Sequence, residues 1–327
     1  MNIVVSRECQ VKTNDLVAFA TKEFLKAKGQ DYGYIYGLDN DNNIVFYIAF
    51  ILKKKLTFCL AEFQTSVVCL DYGRLEEKYS FLNNAIKLLG EVHNVDFICQ
   101  NPAYAIFDYY PENAIYTYFG SYICDLTNTE DELWKGVHSK HRNVIRKAIK
   151  NGIEIKINKT HIEQIYEIIK ETQERSCHGF ISLEKFEAMK KGLADKMDFI
   201  AAYQGDILQG CAVIVHDKKS AYYLFGGSCT KTFPGALNLL HWQAMLYYKE
   251  NGLTQYDFVG ARLSDHVSAK LHGIQRFKER FGGNLHKGLL WKYIYKPHKY
   301  MIYKFINFIR THRWEVDAID EEHITDI

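Results

Sequence analysis

DFIAAYQGDILQGCAVIVHDKKSAYYLFGG, residues 198–227, contains three apolar segments separated by two short polar turns. The first turn contains Gly205 and Asp206, and the second spans residues 217–219. Runs of β-branched and aromatic residues bounded by Gly, Asp and Lys are typical of strands joined by hairpins. The stretch therefore predicts three consecutive antiparallel strands at the centre of an α/β unit.

The same order of elements occurs earlier in the chain, where residues 31–60 read DYGYIYGLDNDNNIVFYIAFILKKKLTFCL. In both halves a helical stretch follows and leads into a strand, through VDF in the first half and YDF in the second. Asp96 and Asp257 thus take corresponding positions. We expect two copies of one α/β unit, and chance similarity between two mixed α/β domains is the alternative.

The size and composition of the chain indicate a packed globular protein of about two domains. Of its 327 residues, 47% are hydrophobic and 24% are charged, which excludes a disordered chain. We expect an N-terminal domain at residues 1–125, a connecting helix at 126–155 and a C-terminal domain at 156–327. The last domain ends in a basic, aromatic tail.

Positive charge is concentrated locally although the net charge is only +2. Residues 135–159 contain eight Lys or Arg and one acid. Within them, Arg142, Arg146 and Lys150 recur every four residues and therefore share one helix face. Such a stripe either is a solvated face or grips a phosphorylated ligand through charge-assisted hydrogen bonds.

Cysteine usage and hydropathy indicate the compartment. The eight cysteines lie mostly in apolar runs without metal-ligand spacing, so we expect reduced thiols and no metal site. The first residues lack a signal-peptide pattern, and the longest apolar run, IVFYIAFIL, is far shorter than the ~20 residues of a membrane-spanning helix. A soluble, cytoplasmic protein is expected.

Three segments carry a resemblance to a known family: HRNVIRKAIKNGIEI at 141–155, PGALNLLHWQAMLYYKENGLTQYDFVGA at 234–261 and GIQRFKERFGG at 273–283. The order of helix, antiparallel strands, helix and strand resembles the GNAT acyltransferase fold. Two such units joined by a basic helix resemble the FemABX family of peptidyltransferases, which build peptidoglycan cross-bridges. The implied fold is α/β (α+β), with two tandem GNAT-like domains, each a mixed, mostly antiparallel sheet flanked by helices.

The resemblance also implies an activity. FemABX-like enzymes are acyltransferases that move an amino acid from aminoacyl-tRNA to an amine of a muropeptide precursor, without a cofactor. The implied partners are a phosphorylated cell-wall precursor and aminoacyl-tRNA, and a monomer is expected. Some members carry a long helical-hairpin arm in the second domain, but the roughly 40 residues before DFIAAY suit two ordinary helices.

Lys278, in the Phe-Lys-x-x-Phe-Gly motif, is the first catalytic candidate. The resemblance implies that this lysine lies in the substrate channel and stabilises an oxyanion. An amine that attacks an ester passes through such an oxyanion, and one pre-placed donor is worth about 3 kcal/mol there. Phe277 and Phe281 would exclude water, and Gly282 and Gly283 would permit positive φ. The alternative is a surface lysine on an amphipathic helix.

Asp257 is the second catalytic candidate, because it ends the strand that would open into the cleft. Its carboxylate would orient the acceptor amine or take its proton, or it would simply cap the next turn. Tyr256 and Arg262, from the same segment, and Phe277 are candidate substrate-binding residues.

The stretch TFPGAL suggests where a donor phosphate would bind. Gly235 and Ala236 lie where GNAT enzymes cradle the pyrophosphate of CoA with backbone N–H groups. The stretch lacks the leading Arg or Gln of that loop and its final Gly or Ala. These departures weaken the case for CoA as the donor. The alternative function is a CoA-dependent N-acyltransferase acting on an amino-sugar or surface-polysaccharide intermediate, and a third is a catalytically silent binding protein.

The tail LLWKYIYKPHKYMIYKFINFIRTHRW, residues 289–314, predicts a strand followed by an amphipathic helix. We favour a packing helix whose lysines extend to solvent. Peripheral contact with a membrane surface and base stacking on RNA are the alternatives.

Overall fold

A computed structural model describes residues 1–176, 179–263 and 269–323 of the protein. The strands are β1 (Asn2–Ser6), β2 (Asp31–Leu38), β3 (Ile44–Lys55), β4 (Phe58–Phe63), β5 (Val68–Cys69), β6 (Phe97–Ile98), β7 (Ile115–Asp125), β8 (Ile153–Ile157), β9 (Met197–Gln204), β10 (Ile207–His216), β11 (Ser220–Ser228), β12 (Gln255–Asp257), β13 (Ala261–Arg262) and β14 (Asn284–Ile294). The helices are α1 (Lys22–Lys28), α2 (Lys78–His93), α3 (Glu130–Gly136), α4 (Ser139–Lys150), α5 (Ile162–Glu174), α6 (Leu183–Leu193), α7 (Ala236–Glu250), α8 (Ala269–Glu279), α9 (Pro297–Thr311) and α10 (Ala318–His323). Short 3-10 turns lie at Ala18–Ala20, Tyr72–Glu77 and Ala194–Lys196.

The described residues form two compact units. The first contains 1–120, 262–263 and 287–323, and the second contains 121–261 and 269–286. The predicted boundaries differ from this division because the tail groups with the first unit. Its strand β14 pairs with β6, and the ring of Tyr300 on α9 packs edge-on against Phe97 at 4.9 Å.

The second unit contains the three strands predicted from residues 198–227. They are β9, β10 and β11, paired antiparallel in that order. β8 extends this sheet beside β9, and β12 extends it on the other side by pairing parallel with β11. The sheet is completed by the C-terminal residues of β7, which pair antiparallel with β12. Helix α7 packs on β9 and β10, and α5 packs on β11.

The first unit repeats this arrangement. Its strands β1, β2, β3 and β4 pair antiparallel, β6 pairs parallel with β4, and β14 pairs antiparallel with β6. Helix α2 packs on β1 and β2. The expected fold class is confirmed: two tandem GNAT-like units, each with a mixed, mostly antiparallel sheet flanked by helices.

The connecting segment consists of two helices rather than the single helix predicted at 126–155. Thr129 caps α3 through a reciprocal capping box with Glu132. The backbone then turns extended at Val137, whose buried side chain anchors the break before α4. Between β8 and β9 the described residues form α5 and α6, without a longer helical hairpin. In the described part of the chain, no helix has the length and apolarity to cross a membrane.

Candidate functional site

Lys278 is buried in the second unit, with 7% of its surface exposed. It lies near the end of α8, where Phe277 and Phe281 pack into the unit's core and turn this side of the helix inward. The Nζ atom donates hydrogen bonds to the carbonyl oxygen of Gly260, at 2.6 Å, and to that of Val259. The interpretation of Lys278 as a surface lysine is therefore excluded.

The two carbonyls that bind Lys278 belong to a strained turn. Val259 has φ 44° and Gly260 has φ 83°, so two successive residues adopt left-handed conformations. A β-branched residue reaches this region only at a cost of about 1–3 kcal/mol, and such strain often occurs at functional sites. The turn directs both carbonyl dipoles at one ammonium group, which stabilises a positive charge away from water.

Burial lowers the pKa of Lys278 from its usual value to about 8, although the nearby carboxylate of Asp257 opposes the shift. The side chain is therefore charged at neutral pH and close to losing its proton. An ammonium group has three N–H donors, and Val259 and Gly260 take two of them. One donor can therefore serve a ligand oxygen.

Asp257 ends β12 and is held in place by two donors to the same oxygen. The hydroxyl of Ser121 donates to Oδ1, as does the backbone N–H of Val259 at 2.7 Å. Burial raises the pKa of Asp257, while these hydrogen bonds and the charge of Lys278 pull it down in part. Asp257 thus caps the strained turn, as one of its two predicted roles requires. Its role as a proton acceptor remains a prediction.

Tyr256 and Phe277 face the core of the second unit. Tyr256 is fully buried, and its hydroxyl lies 2.8 Å from Nδ1 of His241. The ring of Phe277 lies 5.3 Å from that of His141 and 5.6 Å from that of His241. These two candidates therefore support the strand and helix that carry Asp257 and Lys278.

Two buried histidines near Lys278 were not predicted from the sequence. Burial, with the charge of Lys278 as a lesser cause, lowers the pKa of His241 to about 3. Burial also lowers the pKa of His141, to about 4. Nδ1 of His141 has no hydrogen-bond partner among the described residues. A histidine within the apolar run NLLHWQAML is the one sequence signal that pointed to a buried imidazole.

The basic stripe of α4 does not act as one group. Arg142 donates to the carbonyl oxygens of Lys135, at 3.0 Å, and Val137, at 2.5 Å, and so closes the end of α3. Arg146 stacks over the ring of Trp134 at 5.3 Å. Lys150 is exposed. A grip on a phosphorylated ligand by these side chains remains a prediction, and Arg142 would have to give up its bonds to α3.

Gly235 and Ala236, the candidate donor loop, begin α7. Gly235 has φ 96°, and a Cβ atom there would lie 2.2 Å from the carbonyl oxygen of Val144. The glycine is therefore needed for the close approach of α4. The N–H of Ala236 donates to Phe233 at 3.0 Å. The Val144 carbonyl thus fills the space beside Gly235, and the N–H of Ala236 is paired within the chain.

Arg262 belongs to the first unit, whereas the other site candidates belong to the second. Its guanidinium pairs with Glu321 of α10 at 2.5 Å. About a third of the arginine side chain and 44% of the glutamate side chain are exposed, so the pair is solvated. Its role in substrate binding remains a prediction.

Sequence and structure comparisons show which known proteins this chain resembles. The FemAB family model matches residues 183–311. The crystal structure of FemX aligns with 89% of this chain and 94% of its own, at 16% identity and a TM-score of 0.66. L-PGS from Bacillus licheniformis aligns with a TM-score of 0.51 at 12% identity, covering 90% and 93% of the two chains. A conserved protein of unknown function from Bacteroides thetaiotaomicron reaches 0.53 at 10% identity, covering 86% and 92%.

No curated protein sequence matches the chain significantly. The structural similarities therefore establish the fold, and the family model establishes similarity over residues 183–311. The resemblance indicated by the sequence motifs is confirmed: the FemAB family model matches residues 183–311, and the fold is similar to that of FemX.

Proposed function

We propose that the protein is an aminoacyltransferase that moves an amino acid from aminoacyl-tRNA to an amine of a peptidoglycan precursor. The FemAB family match and the FemX-like fold support acyl transfer to such a precursor in general. The observation that carries the proposal is the buried ammonium of Lys278, held against the strained turn after β12. A buried cation with one remaining donor suits the stabilisation of a developing oxyanion.

In the proposed reaction the acceptor amine attacks the ester carbonyl of the aminoacyl-tRNA. A C–N bond forms, and the negative charge that develops on the carbonyl oxygen is stabilised by Lys278. The C–O bond to the tRNA then breaks, and the ribose hydroxyl leaves. Asp257, whose pKa is raised by burial, accepts the proton that the amine loses and returns it to the departing ribose oxygen, which leaves as the hydroxyl.

The donor is proposed to be aminoacyl-tRNA because the internal contacts of the α7 start speak against a CoA cradle. A pyrophosphate cradle needs open space and unpaired backbone amides at the helix start. At Gly235 the space is filled by the Val144 carbonyl, and the Ala236 amide is paired. Aminoacyl-tRNA is an ester donor with its own binding surface, so it does not need a pyrophosphate cradle at the start of α7.

The experiment is an in-vitro transfer assay read by mass spectrometry. The full chain is incubated with UDP-muramyl-pentapeptide and a mixture of charged tRNAs, and in parallel with acetyl-CoA. We expect a mass increase of one aminoacyl group only in the tRNA arm, and RNase treatment of that arm should abolish it. A product only in the acetyl-CoA arm would overturn the proposal in favour of CoA-dependent N-acylation.

A further inference from the structure

Helix α9 turns an apolar side toward solvent. Five large apolar side chains on this side are 38–60% exposed, and we call them the apolar face: Met301, Ile302, Phe305, Ile306 and Ile309. They recur at three- and four-residue intervals and so form one continuous stripe. A contiguous exposed apolar surface marks an interaction site more often than scattered apolar residues do.

The opposite side of α9 fixes this orientation. Tyr300 is buried there, and Lys299 pairs with the buried Asp96 at 3.0 Å. Lys304 lies 3.4 Å from a carboxylate oxygen of Asp320. Rolling the helix to bury its apolar face would break both ion pairs and expose the tyrosine. The outward position of the apolar face is therefore held by polar contacts.

Basic side chains border the apolar face. The neighbouring β3–β4 hairpin presents Lys54, Lys55 and Leu56, and Leu56 is 87% exposed at its tip. Lys55 approaches α9 closely, with Nζ 3.5 Å from the hydroxyl of Tyr303. Arg310 is exposed at the end of the helix. Apolar and cationic groups thus lie side by side on one surface of the first unit.

We propose that the apolar face and the adjacent hairpin tip bind the surface of a bilayer that contains anionic phospholipid. An interfacial helix of this kind inserts its apolar side chains at the level of the headgroups, while lysines and arginines contact lipid phosphates. A second copy of the chain fits less well, because a symmetric contact would bring the same cations together. Nucleic acid also fits less well, because four of the five side chains of the apolar face are aliphatic and supply no stacking surface for bases.

This binding goes beyond the proposed acyl transfer and is measured without any substrate. The full chain is mixed with vesicles of phosphatidylcholine alone, or of phosphatidylcholine with phosphatidylglycerol, and is separated by flotation. We expect the protein to float with the anionic vesicles and to bind neutral vesicles about ten-fold less. Raised salt should weaken the binding to anionic vesicles.

Matched variants separate the apolar from the charged contribution. Phe305→Asn with Ile309→Asn should lower anionic-vesicle binding at least about ten-fold. The control is Ile207→Asn, which removes an isoleucine that is 67% exposed in the second unit and should change nothing. Lys55→Gln with Arg310→Gln should lower binding about ten-fold or more, whereas Lys185→Gln with Lys191→Gln should not.

Several outcomes would overturn the proposal. One is wild-type protein that does not float with either vesicle type. Another is a Phe305→Asn/Ile309→Asn variant that floats as well as the wild type while the thermal midpoints of both agree. A third is light scattering that shows a dimer which this variant converts to a monomer, together with no vesicle binding, since the face would then join two copies of the chain.

Discussion

Asp96 and Asp257 occupy corresponding positions in the two units, yet their surroundings differ. Each follows the long helix of its unit. Asp96 directly precedes β6, which pairs parallel with β4, and Asp257 ends β12, which pairs parallel with β11. Asp96 is 1% exposed and accepts bonds from Lys296 at 2.8 Å and from the Cys59 N–H at 2.9 Å. Lys299 lies 3.0 Å away. The first unit thus fixes its aspartate as a paired anion.

Among the described residues, no lysine donates a hydrogen bond to Asp257. Lys278, whose charge lowers the pKa of Asp257 in part, donates instead to the carbonyls of Val259 and Gly260. Burial tends to raise the pKa of both aspartates, but at Asp96 the bonds from Lys296 and Cys59 outweigh burial and the pKa falls. At Asp257 burial prevails and the pKa rises. The first copy thus uses this position for stability, whereas in the proposed reaction the second uses it for proton transfer.

The largest expected effect is the loss of transfer activity in Lys278→Met. Removing one pre-placed oxyanion donor lowers kcat about 100- to 1000-fold. The measurement is single-turnover transfer from charged tRNA to the muramyl precursor. Lys299→Met, which removes a cation from the Asp96 cluster, should leave kcat within about two-fold because that lysine only neutralises a fixed anion. Equal losses of kcat in the two variants would contradict the proposed difference between the two aspartate sites.

Lys278 could instead act by holding the strained turn. In that case Lys278→Met would move Val259 and Gly260, and KM would rise together with a fall in kcat. We expect kcat to fall with little change in KM, because the donor acts on charge that develops in the transition state. A Lys278→Met variant with full activity would sink the catalytic assignment.

The next largest effect separates the two aspartates by their free energies of unfolding. Asp96→Asn should destabilise the protein by about 2 kcal/mol, below the usual cost of breaking a buried ion pair because both lysines are partly exposed. Asp257→Asn should change stability by less than about 0.5 kcal/mol, since Oδ1 of asparagine still accepts both hydrogen bonds. Urea unfolding at pH 7 measures both values.

The contributions of Asp96 and Asp257 to the free energy of unfolding depend on pH with opposite signs. The folded pKa of Asp96 is lowered, so its contribution is complete above the unfolded value near 3.8 and is lost as the pH falls through the folded value. The folded pKa of Asp257 is raised, so its charge costs stability as the pH rises from about 3.8 through the folded value. An Asp257→Asn variant as unstable as Asp96→Asn at pH 7 would contradict this account.

A smaller effect is expected in the dependence of the transfer rate on pH. Burial lowers the pKa of Lys278 to about 8, so kcat should fall above that pH, by about ten-fold per pH unit. Lys278→Arg keeps a charge that does not titrate, so its residual activity should lack this alkaline limb. Single-turnover rates from pH 6 to pH 10 test both. A limb that persists unchanged in Lys278→Arg would assign it to another group.

The sequence predicted those parts of the fold and site that depend on local pattern. The hairpins of 198–227 and the repeat of the unit follow from the alternation of apolar residues and turns. The motif around Lys278 also led to a lysine that proves to be buried.

Long-range contacts were beyond such patterns. Nothing in the spacing of Arg142 indicates that its guanidinium closes the end of α3. The tail reads as an amphipathic helix, but its orientation follows from the buried Tyr300 and the ion pairs of Lys299 and Lys304, which leave Met301, Ile302, Phe305, Ile306 and Ile309 exposed. His241 was missed because an imidazole in an apolar helix shows no partner until Tyr256 is placed beside it.

The smallest expected effect concerns this hydrogen bond, at which the two units also differ. Tyr256 precedes Asp257, and the corresponding residue before Asp96 is the buried, apolar Val95. Tyr256→Phe leaves Nδ1 of buried His241 without its partner and should cost about 1 kcal/mol in urea unfolding, and a further His241→Leu change should recover part of it. Because the hydroxyl faces the core, kcat should stay within about three-fold of the wild type. A loss of kcat as large as that of Lys278→Met would instead indicate that Tyr256 contacts the substrate.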